Sequence, residues 1–262
     1  MTLIAPTLQE LFTRRLIGER MASPHTVASY RDTFKILFTY LAGTTGKAPS
    51  QLDFEDLNAI TISGFLTHLE TDRGVTASTR NTRLAALRCL FKYASYNHPE
   101  HAELIARVLA IPSKRTKRPL VTFLTTREID ALLAAPDRSR WTGRRDHALL
   151  VLAIQTGLRV SEITALRSAD INTNRPAHLR VFGKGRKERV TPLSKHSVVT
   201  MRAWTDERGG SQADAVFPSA SEQALGRDAI RKLVVKHAHA AAAACPSLAG
   251  KQIGVHTLRH TP

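Results

Sequence analysis

Apolar residues recur at helical spacing along the first hundred positions. Leu8, Leu11, Phe12 and Leu16 share a face between Thr7 and Arg20. Ser23-Pro24 then supplies a cap and a first-turn proline. The helix behind it sets Val27, Tyr30, Phe34, Leu37, Phe38 and Leu41 on one side, and Gly43 and Gly46 are expected to end it. A third helix, Thr61 to Asp72, turns Ile62, Phe65, Leu66 and Leu69 inward, and Gly74 closes it. A fourth, from about Ser78 to Tyr96, does the same with Leu84, Leu87, Phe91 and Ala94, and a shorter one spans Glu100 to Ala110. This patterning assigns the aromatic residues to a core rather than to base-stacking platforms.

The periodicity stops at Ile111-Pro112-Ser113-Lys114-Arg115-Thr116-Lys117-Arg118-Pro119. Prolines bias their neighbours toward extended backbone, so this stretch reads as an inter-domain strap. Helical spacing resumes at Leu124–Ile129, with Ile129, Leu132 and Leu133 as the apolar side. Arg144 to Gln155 reads as a buried helix, and Gly157 permits a sharp turn before another begins near Arg159. Between Asp170 and Pro192 the period shortens to that of strands. Leu179–Phe182 and Arg189–Leu193 flank a glycine-rich basic loop, Gly183-Lys184-Gly185-Arg186-Lys187-Glu188. Helices follow at Ser194–Arg208 and Arg227–Ala244, with Val216-Phe217-Pro218 as a buried connector, and a last one starts near His256. The fold class is mainly α: a helical domain over residues 1–111, a basic linker over 112–120, and a mostly helical second domain over 121–262 with a small antiparallel β-sheet.

Composition adds a polyanion to this picture. Lys and Arg number 38 against 22 acidic residues in 262, a net charge of +16. The excess is uneven: residues 1–111 carry 12 basic and 10 acidic side chains, and residues 112–262 carry 26 and 12. Such a surplus favours nucleic acid, because each cation set on a phosphate releases condensed counterions, although a ribosome-associated or merely very soluble protein would share it. The strap reads either as a crossing over DNA phosphates, with Lys114, Arg115, Lys117 and Arg118 as contacts, or as a solvated linker. Arg80, Arg83 and Arg88, largely off the core face of the fourth helix, are further candidate phosphate contacts, with a solvated helix face as the plain alternative. Two separated cysteines, Cys89 and Cys245, fit a reducing cytosol without disulfides. No apolar run approaches the roughly 18 to 20 residues that span a bilayer, and no signal peptide is evident, so a cytoplasmic protein without membrane partners is expected. His237 and His239 stand two apart, on different helix faces, and no metal is expected there.

Three motifs carry the chemistry. The first is Thr156-Gly157-Leu158-Arg159-Val160-Ser161-Glu162-Ile163, where Arg159 and Glu162 share a helix face at i, i+3, a spacing also common to plain solvent pairs. The second is the basic hairpin loop; it does not match a Walker A motif, so no nucleotide is read into it. The third is His256-Thr257-Leu258-Arg259, which again places two functional side chains on one face.

In this order the motifs resemble the phage-integrase, or Xer-type, family of tyrosine recombinases. Ser23-Pro24-His25-Thr26 and Ser78-Thr79-Arg80-Asn81-Thr82-Arg83 resemble, less specifically, the opening of that family's SAM-like core-binding domain. The resemblance implies a site-specific recombinase that cuts and rejoins duplex DNA through a 3′-phosphotyrosine, in a tetrameric synapse of protomers, without metal or small-molecule cofactor. Arg159 and Arg259 would hold the non-bridging oxygens of the scissile phosphate. Lys184 would protonate the leaving 5′-oxygen, with Lys187 the competing candidate and Arg186 and Lys187 grasping DNA. His256 would help move the nucleophile's proton, and Glu162 would support Arg159.

The pattern breaks at the nucleophile. The family's tyrosine lies well past His-x-x-Arg, whereas Tyr30, Tyr40, Tyr93 and Tyr96 all lie in the first domain. Pro262 also falls where the last helix should continue. A truncated or frame-shifted product is therefore expected, one that binds DNA but does not cleave it alone. The alternative is a non-catalytic remnant that occupies recombination sites.

Overall fold

A computed structural model describes residues 2–116, 122–183 and 188–259. The chain divides into two compact units, Met1–Arg118 and Pro119–Pro262.

The first unit is helical throughout. Helix α1 (Ile4–Glu10) runs directly into nine residues of π-helical geometry, Leu11–Glu19. The expected single α-helix is thus widened, and the wider turn brings Leu11 and Leu16, five apart, onto one buried face. Helix α2 (Pro24–Thr45) is capped by Ser23, whose Oγ accepts the Thr26 N–H at 3.2 Å. It passes through Gly43 without a break and stops at Gly46, whose left-handed φ of 70° caps it. Helix α3 (Ala59–Thr71) starts two residues ahead of the apolar pattern because Asn58 Oδ1 accepts from the N–H groups of Ile60 and Thr61. Helices α4 (Ala77–Asn97) and α5 (Ala102–Leu109) complete the unit. Phe34, Phe65 and Phe91 lie in its core together with Phe54 from the α2–α3 connection.

The second unit is built around α7 (Trp141–Thr156), which is buried on nearly all sides from Ala148 to Ala153. Helices α6 (Thr126–Ala134), α8 (Val160–Ala165), α9 (Lys195–Arg208), α10 (Arg227–Ala241) and the short α11 (Val255–Arg259) accompany it. The sheet has three antiparallel strands in sequence order, β1 (Ile171–Asn172), β2 (His178–Phe182) and β3 (Glu188–Pro192). The two-residue β1 is too short to leave a periodic signal in the sequence. On β2, Leu179 and Val181 enter the core.

Two buried polar clusters hold this unit together. Asp146 accepts from Arg145 Nε and Nη2 at 3.0 and 2.8 Å, and pairs with His237 Nε2 of α10 at 2.8 Å. Arg145 Nη1 donates on to the Pro218 carbonyl at 2.9 Å, so one carboxylate joins α7, α10 and the 216–218 connector. In the second cluster Glu128, 2% exposed, accepts from Thr125 N–H at 2.8 Å, Ser247 Oγ at 2.6 Å and Lys251 Nζ at 2.7 Å. Burial alone would raise the Glu128 pKa, but the Lys251, Ser247 and backbone donors outweigh it and bring the group down from 4.5 to about 2. This carboxylate anchors the segment that leads into α11.

Both clusters make predictions. Asp146→Ala strands a buried guanidinium and should cost about 3–5 kcal/mol of unfolding free energy in urea titrations. Because the folded Glu128 pKa is depressed, its stabilisation is complete above pH 4.5 and is lost as pH falls from 4.5 toward 2. Thermal melts across that window should show the loss in the natural protein and a flatter profile in Glu128→Gln.

Candidate active site

The site begins where α7 ends. Gly157 takes a left-handed φ of 59° and its N–H returns to the Ala153 carbonyl at 3.0 Å. Leu158, 1% exposed, pins the turn to the core. Arg159 then stands in extended conformation as the residue preceding α8, with half of its side chain in solvent.

Glu162 organises this turn. Its Oε2 accepts the Arg159 backbone N–H at 2.8 Å and its Oε1 accepts Arg159 Nη1 at 2.9 Å. The sequence pairing is therefore a built feature with a buried acid, unlike a solvent pair. A second arginine, Arg189 of β3, meets the same carboxylate end-on, with Nη1 to Oε1 and Nη2 to Oε2 both at 3.1 Å. The side chain of Glu162 is only 4% exposed. Burial pushes its pKa up, but the Arg189 fork and the Arg159 backbone and side-chain donors push harder, and the group stays below the ordinary glutamate value. Sequence reasoning missed Arg189. The pattern Arg189-Val190-Thr191 would turn the valine inward, whereas β3 leaves Val190 60% exposed and half-buries its polar neighbours.

Helix α11 brings the second arginine. A Cβ placed on Gly157 would lie 3.5 Å from Arg259 Cγ and 3.7 Å from the Arg259 carbonyl oxygen. The glycine thus admits Arg259 to close contact as well as turning the chain. Arg259 Nη1 is buried and has no hydrogen-bond partner among the described residues. A buried guanidinium N–H without an acceptor is costly, and an oxyanion is the ligand that satisfies it best. His256 lies three residues earlier on α11 and is exposed.

The structure therefore gathers Arg159, Glu162 and Arg259 about one glycine turn, with His256 on the same short helix as Arg259. Lys184, Arg186 and Lys187 lie outside the described residues, as do Lys117 and Arg118. Strand β3, which begins at Glu188, is fastened to the site by Arg189.

Arg80, Arg83 and Arg88, the candidate phosphate contacts on α4, all make hydrogen bonds within their own unit. Arg80, 7% exposed, donates to the Pro112 carbonyl at 2.9 Å. Arg83 reaches the Ser29 carbonyl and Thr33 Oγ1 of α2, each at 3.0 Å. Arg88 donates to the Ile111 carbonyl and to Ser113 Oγ. Asn81 completes the fastening with bonds to Lys114 O at 2.7 Å and from Lys114 N at 3.0 Å, and Lys114 Nζ pairs with Glu70 at 2.8 Å. The physical reason is that Pro112 ends the helical ladder, so the carbonyls near it need other donors, and the arginines of α4 are within reach. The start of the strap is thus part of the first unit. Arg115 remains exposed. Beside it, α2 and α4 open a groove of about 610 Å³ lined by His25, Thr26, Ser29, Ser78, Asn81 and Thr82, among others.

Comparison with known proteins agrees with this architecture. Residues 122–262 match the phage integrase family, and residues 10–97 match the phage integrase N-terminal SAM-like domain. A Sinorhizobium fredii chain bearing the name integrase/recombinase y4rC is 50% identical over 258 residues, covering 98% of this chain and 78% of that one. Tyrosine recombinase XerC of Pelobacter propionicus is 31% identical over 259 residues, covering 98% and 81%. In fold, the chain is similar to a lambda integrase dimer bound to a core site, at a TM-score of 0.67 and 19% identity over 99% of this chain and 87% of that one. It is likewise similar to XerH recombinase on a palindromic difH substrate, at 0.69 and 20% over 98% and 75%. With the family matched across the unit that holds the arginine site, and its SAM-like partner domain matched ahead of it, the chain belongs to the phage integrase family of site-specific tyrosine recombinases.

Proposed function

We propose that this chain binds duplex DNA at a recombination site and holds a scissile phosphodiester between Arg159 and Arg259. Arg259, whose buried Nη1 has no acceptor among the described residues and whose Cγ lies against the Gly157 turn that presents Arg159, carries this reading. Two guanidinium groups on the non-bridging oxygens suit a step in which negative charge grows there, because each donates directed, charge-assisted hydrogen bonds and keeps its proton. In that step a tyrosine hydroxyl attacks phosphorus, its proton passes by way of His256, and the 5′-oxygen leaves with a proton from Lys184. The product is a 3′-phosphotyrosine and a free 5′-hydroxyl, and the reverse attack rejoins the strand. Glu162 supports Arg159, and the basic surplus after residue 111 together with the α2–α4 groove supplies the hold on the duplex.

The tyrosine itself comes from outside residues 1–262. Tyr93 is 8% exposed with its hydroxyl on Glu10, and Tyr40 packs against Phe65 and His68, so both serve the first unit's core. The second unit contains no tyrosine. A tyrosine further along the same polypeptide or one from a second recombinase protomer would supply it, in keeping with a protein that works in an assembly on DNA in the cytoplasm. Residues 1–262 alone then act as a site-occupying DNA binder.

The test combines binding with trapping. On a short duplex of mixed sequence, Arg159→Ala and Arg259→Ala should each weaken affinity about tenfold and flatten the slope of log K against log salt by about one. A nicked suicide duplex should yield no covalent adduct with residues 1–262 alone. Unchanged affinity and slope in both variants would contradict the phosphate assignment, and an adduct with the purified chain would contradict the external tyrosine.

A further inference from the structure

We propose that Arg189 is a positioning residue for Arg159, acting through Glu162 to leave the Arg159 guanidinium available to phosphate. The proposal rests on the reading of Arg159 as a phosphate ligand.

Glu162 is needed where it is, because its Oε2 closes the backbone at Arg159 and so sets the entry into α8. That places a buried negative charge three residues from an arginine whose task is to hold another anion. With no other partner, the carboxylate would draw the whole Arg159 fork onto itself, the arrangement that arginine and carboxylate favour. A guanidinium committed in that way spends two of its five N–H groups on the acid and turns its fork away from an incoming phosphate. Arg189 prevents this. Its fork takes both carboxylate oxygens at 3.1 Å and is the better matched of the two arginines. Among the described residues, Arg159 keeps a single side-chain bond, Nη1 to Oε1 at 2.9 Å, and half of its side chain stays in solvent. Two cations around one acid also leave the cluster with a net positive charge, which favours an incoming phosphate.

The position of Arg189 has a second effect. It stands on β3, five residues after Lys184. The same two bonds therefore fix the paired strands β2 and β3 to α8, and β3 is registered against the arginine turn.

A charge-relief experiment tests the proposal. Affinity for the mixed-sequence duplex and its salt slope are measured for Arg189→Met, Arg189→Lys, Glu162→Gln and the double variant Arg189→Met/Glu162→Gln, with Arg159→Ala alongside. Arg189→Met should lose about tenfold in affinity with a slope flatter by about one, as though Arg159 itself had been removed. Arg189→Lys, which keeps the charge but not the fork, should fall between. The double variant should return to the affinity of Glu162→Gln alone, because the competing carboxylate charge is gone. A residue that merely braced the strand would give a double variant no better than Arg189→Met, and that result overturns the proposal. So does an Arg189→Met variant with unchanged affinity and slope. If Arg189→Met does not fold, as judged by its thermal melt, Arg189→Lys decides, and natural affinity and slope in it overturn the proposal. Arg159→Ala separates the two levels. If it leaves binding untouched, the phosphate reading itself fails; if it weakens binding while the Arg189 variants do not, only the role of Arg189 fails.

Discussion

A carboxylate buried as deeply as that of Glu162 persists in ionised form only because four N–H groups converge on it. Three come from arginine side chains and one from the backbone at Arg159. The geometry of the site follows from that convergence. The backbone bond fixes where α8 begins, the side-chain bond aims Arg159, and the Arg189 fork ties the sheet to the helix. Remove the acid and the two arginines repel; remove one arginine and the acid turns wholly to the other. The site is therefore a balanced triad of charges before any DNA arrives, and its net positive sign is what an incoming phosphate meets.

The glycine turn supplies the other half of the constraint. Gly157 must take a left-handed φ and must also lack a side chain, because Arg259 of α11 lies against it. The approach of α11 depends in turn on the segment before it, which Glu128 holds through Ser247 and Lys251, 119 and 123 positions away in the chain. Two buried acids thus serve Arg159 and Arg259, Glu162 the first directly and Glu128 the second by placing the helix that carries it. Each acid acts as a structural anchor that keeps a cation in place while leaving some of its donors unused.

Much of this was legible in the sequence. The helices of the first unit followed from apolar spacing, and Arg159, Glu162, His256 and Arg259 stood out by motif and by their i, i+3 intervals. What escaped depended on contacts between distant segments. Arg189 hid in a strand whose valine looked like the inward residue, because sheet alternation does not reveal which face meets a buried acid. Arg80, Arg83 and Arg88 looked like an exposed basic face. Their partners are carbonyls on α2 and around Pro112, and only the folded unit brings those within reach. The π-helical widening at Leu11–Glu19 and the two-residue strand β1 fall below what periodicity can resolve.

The central claim is that the Gly157 turn and α11 form one oxyanion seat. A crystal structure of this protein on a duplex would test it most directly. A backbone phosphate should then lie with its non-bridging oxygens within hydrogen-bonding distance of Arg259 Nη1 and the Arg159 guanidinium, while Arg189 stays on Glu162. A bound duplex whose phosphates all lie away from these two arginines, with Arg259 Nη1 satisfied by the protein's own chain, would contradict it.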